Sequence, residues 1–143
     1  MPFSSLIFAV PKLILSVGFP DANNLLAGVL SLKRFKVFKS NSINDCLSTI
    51  NQMDDKVDVV LTDKESAIAN DFFLVNRIKG MAPDTMIVII ADNDNDGEWL
   101  PNKNIDEVVN RPISPENLAD KILYMLAKKE LKRRKSSENQ IML

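Results

Sequence analysis

The side chains able to do chemistry in this chain are mainly carboxylates, and one of them has a distinctive position. Asp63 directly follows residues 57–62, an apolar and β-branched run interrupted only by Asp58 and Thr62. Such a run is typical of a strand buried on both faces of a parallel sheet. The carboxyl ends of the strands in an open α/β sheet form the edge where ligands and reactions collect. Asp63 is therefore the first candidate for a functional residue.

The composition excludes several other kinds of chemistry. The chain has no histidine, which rules out Ser-His-Asp catalysis, Cys-His catalysis and His-ligated metal within it. Its single cysteine, Cys46, excludes an internal disulfide and a cysteine zinc cluster, and its amphipathic surroundings favour a buried thiol over a reactive one. The net charge of −1 gives no electrostatic reason for nucleic-acid binding by the whole domain. No metal site and no cofactor site are predicted.

The elements that must position Asp63 alternate along the chain. Its 143 residues suit one domain, and the hydrophobic fraction of 45% suits a globular protein. Apolar runs predict strands, helical stripes predict helices between them, and this alternation predicts a parallel sheet with right-handed crossovers. The predicted strands are residues 12–17, 35–39, 57–63, 86–91 and 105–109. The predicted helices are residues 23–34, 42–53, 72–80 and one beginning at Ser114, with a polar loop at 64–71 and a turn-rich segment at 92–101.

The two ends of the chain differ from this central domain. Residues 1–11 are apolar, but they lack a basic start and Pro11 interrupts them, so we expect an N-terminal arm and not a signal peptide. Residues 12–128 form the predicted α/β domain. Residues 129–143 begin with a basic run and predict a helical extension or tail. A cytoplasmic protein without a membrane segment is expected.

Residues 57–63, 83–85 and 111–118 carry a specific resemblance. Together with the order of elements, they resemble the response-regulator receiver domains of the CheY-like family over residues 12–128. The resemblance implies a three-layer α/β sandwich around a five-stranded parallel sheet of order 2-1-3-4-5. It also implies two-component signalling with a sensor kinase as partner, and it makes Asp63 the candidate phosphoacceptor at the end of the third strand.

Several positions around Asp63 depart from the family's pattern. The family's two acidic residues after the first strand hold a divalent cation, but here those positions are Val17 and Gly18, which have no carboxylate. The family's hydroxyl residue at the end of strand four corresponds to Ile90, and its aromatic switch residue on strand five corresponds to Val108. The lysine after strand five corresponds to Arg111. The resemblance therefore predicts that the phosphorylation machinery is degenerate.

Arg111 keeps a positive charge at the predicted edge of the sheet. We expect it to pair with Asp63, because opposite charges at one edge can satisfy each other without metal or phosphate. The bond between Arg111 and Pro112 is commonly cis in the family, and X-Pro bonds permit this, with a trans turn as the alternative.

Two features bear on protein partners. The basic segment from Lys128 to Lys135 is similar to the helical linker that follows receivers in NtrC-type regulators, which implies a homodimer through a coiled coil. The simpler interpretation is a solvated helix end whose cations complement the helix dipole. Trp99 and Val108 fall near the surface of strand five and the last helix that receivers use for partners, where they form either a binding hot spot or core packing.

These features predict an atypical receiver, or pseudo-receiver: a signalling module that acts through protein contacts and is not an enzyme. Magnesium-dependent phosphorylation is expected to be impaired or absent, and Mg²⁺ would bind only if Asp63 is phosphorylated. One alternative is a phosphoryl-accepting response regulator that uses Asp63. A second is a small flavodoxin-like ligand-binding protein or enzyme, although Gly18 stands alone where a glycine-rich phosphate loop is needed. No direct contact with nucleic acid or membrane is expected.

Overall fold

The computed structural model describes residues 11–15, 23–33, 35–40, 42–53, 56–91, 102–111 and 113–141. Strands and helices alternate within these ranges, as predicted. In chain order they are β1 (Lys12–Leu15), α1 (Asn23–Leu32), β2 (Lys36–Lys39), α2 (Ile43–Gln52), β3 (Val59–Asp63), α3 (Lys64–Met81), β4 (Met86–Ala91), β5 (Glu107–Asn110) and α4 (Pro115–Ile141). The predicted N-terminal arm and the turn-rich segment after β4 lie outside the described residues, apart from Pro11.

The five described strands form one parallel sheet. Their order is β2-β1-β3-β4-β5, which agrees with the order that the family resemblance implies. The central strands β3 and β4 are buried along their whole length, whereas the first and last residues of the edge strand β2 are exposed. This burial explains why the sequences of β3 and β4 are almost continuously apolar.

Helices cover both faces of the sheet and form two separate cores. On one face, α1 and α4 pack against alternate residues of β3 and β4, with Val59, Leu61, Val88 and Ile122 fully buried. On the other face, α2 and α3 cover the intervening residues. That second core includes Ile14, Cys46, Ile50, Val60, Ala67, Leu74, Val75, Ile78, Ile87 and Ile89. The predicted three-layer sandwich is therefore confirmed.

Serine caps begin two of the helices. Ser114 Oγ accepts a hydrogen bond from the Asn117 N–H at 3.1 Å, and Pro115 is the first residue of α4. Ser42 Oγ likewise accepts a hydrogen bond from the Asp45 N–H at 3.0 Å at the start of α2. Both caps satisfy N–H groups that have no partner within the helix. The sequence-based prediction of a Ser-Pro start for the last helix is confirmed.

The predicted polar loop at residues 64–71 is wrong, because α3 begins immediately after Asp63. Ala67 in this segment is fully buried in the second core. Tertiary packing therefore stabilises a helix in a segment whose polar sequence predicted a loop. The helix is interrupted at Asn70, Asp71 and Phe72, whose φ angles are 52°, 56° and 63°. Left-handed backbone is tolerated by Asn and Asp but is unusual for a bulky Phe. Phe72 packs against the second core, which helps to hold this conformation.

The prediction that Cys46 is a buried residue is confirmed, and it lies in α2. Its side chain is fully buried, and burial raises the pKa of its thiol to about 11. Because only the thiolate reacts, about one thiol in a thousand is reactive at pH 8 even before steric shielding. We expect native protein to resist iodoacetamide at pH 8, while protein unfolded in urea is alkylated quantitatively. Intact mass measures both, and rapid alkylation of native protein would contradict the burial of Cys46.

Helix α4 continues well past the end of the sheet. It contains 27 residues and runs without a break through residues 128 and 129, where the domain boundary was predicted. At 1.5 Å per residue the helix is about 40 Å long. No helix in the described part of the chain is long and apolar enough to span a membrane.

Candidate functional site

Asp63 is the last residue of β3 and lies directly before α3. In the parallel ladder it pairs with Ile90 of β4. It alternates with Val59 and Leu61, both of which lie in the core under α1 and α4, so its side chain belongs to that face of the sheet. Asp63 is 9% exposed, which places a carboxylate at the carboxyl edge of the sheet and largely out of solvent.

One carboxylate oxygen of Asp63 is left unsatisfied. Oδ1 is fully buried and accepts no hydrogen bond from any described residue. Asp63 is also the N-cap residue of α3, but its side chain makes no capping hydrogen bond. A buried acceptor without a partner costs about 1–3 kcal/mol, and more when it is charged. The described residues therefore leave a buried oxygen of Asp63 without a hydrogen bond to offset its loss of water.

Asn110 is a second polar residue of this kind at the same edge. It ends β5 and pairs with Ala91, the last residue of β4. Its Oδ1 is buried and has no hydrogen-bond partner in the described ranges. Asn110 was not predicted as a site residue, although its amide directly follows the apolar pair Val108 and Val109 at the end of a predicted strand.

The opposite edge of the sheet shows a different pattern. Asp106 Oδ2 accepts hydrogen bonds from Lys79 Nζ at 2.9 Å and from the Ile87 N–H at 2.7 Å. Thr85 Oγ1 donates to the Val57 carbonyl at 2.7 Å, and Lys79 also donates to the Thr85 carbonyl. Within the described residues, the two buried side-chain oxygens without partners both lie at the carboxyl edge. Unpaired buried groups of this kind are typical of a functional edge.

The described residues at the carboxyl edge offer no set of ligands suited to a divalent cation. Mg²⁺ prefers several oxygen ligands in octahedral geometry, normally with more than one carboxylate. Across the described ranges, no three Asp, Glu, His or Cys residues lie close enough together to hold a metal ion. Val17 and Gly18 lie outside the described residues, but their side chains contain no oxygen. Among the described residues, Oδ1 of Asp63 is one potential ligand at this edge, with no cluster of carboxylates beside it.

The other predicted site residues have different surroundings. Ile90 is buried in the core under α1 and α4, and Val108 packs against the opposite core. Arg111 is exposed, and its backbone N–H donates to the Ala91 carbonyl at 2.8 Å. The predicted pairing with Asp63 does not include Oδ1, which receives no hydrogen bond from Arg111. Pro112 and Trp99 lie outside the described residues.

A surface pocket of about 370 Å³ lies at the amino edge of the sheet. Its lining combines apolar side chains from the ends of α2 and α3 with a weak ion pair, Lys56 to Asp84, at 3.9 Å. The apolar lining includes Ile50, Met53, Met81 and Pro83. None of the predicted site residues lines it, and it lies at the opposite edge from Asp63.

Comparisons with known proteins identify the fold. No family model and no curated protein matches the sequence. A CheY-like receiver domain protein from Methanospirillum hungatei JF-1 superimposes with a TM-score of 0.72 at 13% identity, covering 87% of this chain and 99% of that one. A receiver domain protein from Clostridium thermocellum gives 0.67 at 16% identity, covering 87% and 97%. NtrX from Brucella abortus gives 0.72 at 18% identity, covering 92% of this chain but 29% of that one. The chain therefore has the CheY-like receiver fold.

Proposed function

We propose that this protein is an atypical receiver module of a two-component-type signalling system, acting through protein–protein contacts and not as an enzyme. In this proposal, magnesium-dependent phosphorylation of Asp63 is impaired or absent. The observation that carries the proposal is the environment of Asp63, whose buried Oδ1 has neither a hydrogen-bond partner nor a neighbouring carboxylate cluster among the residues that the structure describes. Residues 12–128 are the proposed receiver domain of a cytoplasmic protein, with residues 1–11 as an arm and 129–143 as an extension.

The carboxyl edge lacks most of the features that phosphoryl transfer requires. The reaction depends mainly on positioning and on neutralising the charge of the transferred group. A phosphodonor cannot reach the buried Oδ1 unless the edge opens first. Ile90, at the register position beside Asp63, has no hydroxyl to hold a phosphoryl oxygen. Only Arg111 is left among the family's charged switch positions to balance the about −1.5 to −2 charge of a phosphoryl group.

A second candidate function is that of a phosphoryl-accepting response regulator. The same Oδ1 favours it, because an oxygen that accepts no hydrogen bond keeps its lone pairs available for attack on phosphorus. In this case a sensor kinase or another phosphodonor must open the edge, and Mg²⁺ would be bound with the help of the phosphoryl group itself.

The output surface in this proposal is formed by β5 and α4. Val108 is partly buried and packs against the core, so we assign it mainly to positioning β5. The exposed side of α4 is the better contact surface, because Tyr124 and Leu131 are 47% and 50% exposed on it. Partner binding or homodimerisation through α4 would then carry the signal.

Intact mass after incubation with acetyl phosphate and Mg²⁺ tests this function. We expect no phosphoryl adduct on the wild-type protein, on Asp63→Asn or on the control Asp45→Asn. The double variant Val17→Asp/Gly18→Asp restores two candidate metal ligands, and we expect it to gain an adduct that depends on both Mg²⁺ and Asp63. An adduct on wild-type protein that is lost only in Asp63→Asn would support the phosphoryl-accepting alternative instead.

A further inference from the structure

The outer side of α4 carries a regular stripe of cations and apolar side chains. The stripe consists of Lys121, Tyr124, Lys128, Leu131 and Lys135, which we call the outer face of α4. These residues are spaced three and four apart, so they lie along one side of the helix. All five are exposed. Along the stripe, a lysine alternates with a largely apolar side chain, Tyr124 or Leu131.

The core does not explain the apolar members of this stripe. Leu118, Ala119 and Ile122 of α4 are buried against the sheet, on the opposite side of the helix. Ala127 is the last buried residue among the α4 side chains that the structure describes. Leu131 lies one turn beyond it and is still half exposed, in a segment rich in Lys and Arg. An exposed leucine there is not needed for folding.

The spacing of the outer face is that of a coiled-coil seam. In a heptad the seam positions alternate in steps of three and four, and here one set of seam positions is lysine while the other is Tyr124 and Leu131. The stripe covers two heptads, about 21 Å of helix. Lysine at a seam position needs an acidic residue opposite it, whereas Leu131 needs an apolar one.

We propose that the outer face of α4 docks an acidic amphipathic helix from another protein. The partner helix would place Glu or Asp opposite Lys121, Lys128 and Lys135, and apolar side chains opposite Tyr124 and Leu131. The inference rests on the proposed function only in using α4 as the output surface. Its test measures association and not phosphorylation, so the two can fail separately.

Charge argues against a second copy of the same face as the partner. Two outer faces paired in parallel would set lysine against lysine at each cationic position, which is unfavourable. The nearby acidic residue Glu130 does not neutralise the lysines of the outer face, because it accepts hydrogen bonds from Arg133 at 2.5 Å and from Arg134 at 3.1 Å. Residues 121–143 contain seven Lys or Arg and two Asp or Glu, a net charge of +5. That imbalance favours an acidic partner.

The apolar content of the face argues for a protein helix over a membrane. Helices that lie in a lipid interface bury a broad apolar side of Trp, Phe and Leu residues. The outer face offers only Tyr124 and Leu131. Two apolar side chains between lysines are enough for contact with one partner helix, but they are too few for stable insertion into lipid.

A charge-reversed copy of the protein supplies the probe. The triple variant Lys121→Glu/Lys128→Glu/Lys135→Glu presents an acidic amphipathic helix of the required length and spacing. We expect wild type and this variant each to sediment as monomers, and an equimolar mixture to form a 1:1 complex that weakens with added salt. Circular dichroism checks that both proteins are folded before they are mixed.

Two controls separate the seam from general charge attraction. Lys36→Glu/Lys39→Glu/Lys103→Glu changes three other exposed lysines and lowers the net charge equally, and we expect it not to bind wild type. Leu131→Ser in the wild-type partner should weaken the complex by about tenfold or more.

Several outcomes would overturn the proposal. They are equal binding by the control triple variant, no complex with the charge-reversed copy, or dimerisation of wild type alone through Leu131. Lysine-dependent binding to phosphatidylserine vesicles or duplex DNA, with no binding to the acidic copy, would also overturn it.

Discussion

Asp106→Ala is expected to lower the free energy of unfolding by about 1–3 kcal/mol. One carboxylate oxygen of Asp106 accepts two hydrogen bonds, from the Ile87 N–H at 2.7 Å and from Lys79 Nζ at 2.9 Å. The alanine variant leaves an N–H of the buried strand β4 without a partner, which costs about 1–3 kcal/mol. It also removes the ion-pair partner of Lys79, but the Asp106 side chain is 37% exposed, so solvent screening keeps this part of the loss below about 1 kcal/mol. Urea unfolding at neutral pH measures the loss.

Two matched variants show which part of this loss belongs to the buried N–H. Asp106→Asn keeps an oxygen that can accept from the Ile87 N–H, so we expect a smaller loss of about 1 kcal/mol. Asp84→Ala removes an exposed carboxylate whose ion pair with Lys56 spans 3.9 Å, and its loss should be below about 1 kcal/mol. If Asp106→Ala costs no more than Asp84→Ala, then Asp106 does not tie β4 to α3 as described.

Asp63→Asn is expected to change stability in the opposite direction, raising the free energy of unfolding by about 1–2 kcal/mol. The carboxylate loses its favourable position at the start of α3, which is worth about 0.3–1 kcal/mol. Asn leaves a buried polar atom at the position of Oδ1, but that atom is neutral; an unsatisfied neutral group costs about 1–3 kcal/mol and an unsatisfied charged group costs more. Asn is also a good N-cap residue. The gain therefore exceeds the loss, and urea unfolding should show a higher midpoint with an unchanged m-value.

Asp45→Asn is the matched control for this result. Asp45 lies in the first turn of α2, so it has a similar relation to a helix N-terminus. We expect its replacement to lower stability by up to about 1 kcal/mol. A loss of more than about 1 kcal/mol in Asp63→Asn would mean that the Asp63 carboxylate is a satisfied structural group. Stabilisation would show that the buried carboxylate of Asp63 lowers the stability of the folded protein.

Local patterns in the sequence were enough to predict most of the architecture. The apolar runs of β3 and β4 predict buried parallel strands because both faces of these strands are covered. The Ser-Pro pair at residues 114–115 predicts the start of α4, because the cap needs only groups three residues apart. The strand order came from the family resemblance, whereas the apolar run that ends at Asp63 predicted the position of this residue at the carboxyl edge. The described sheet agrees with both.

Only the tertiary structure decided which polar atoms of the site have hydrogen-bond partners and which do not. The sequence shows Asp63 beside an apolar run, but the burial of its Oδ1 depends on elements distant in the chain. The same holds for Asn110, and for Lys79 with Asp106, which lie 27 residues apart. The helical start of α3 depends on the core that buries Ala67. Periodicity reports which side chains are apolar, whereas hydrogen-bond satisfaction depends on which distant groups the fold brings within reach of each polar atom.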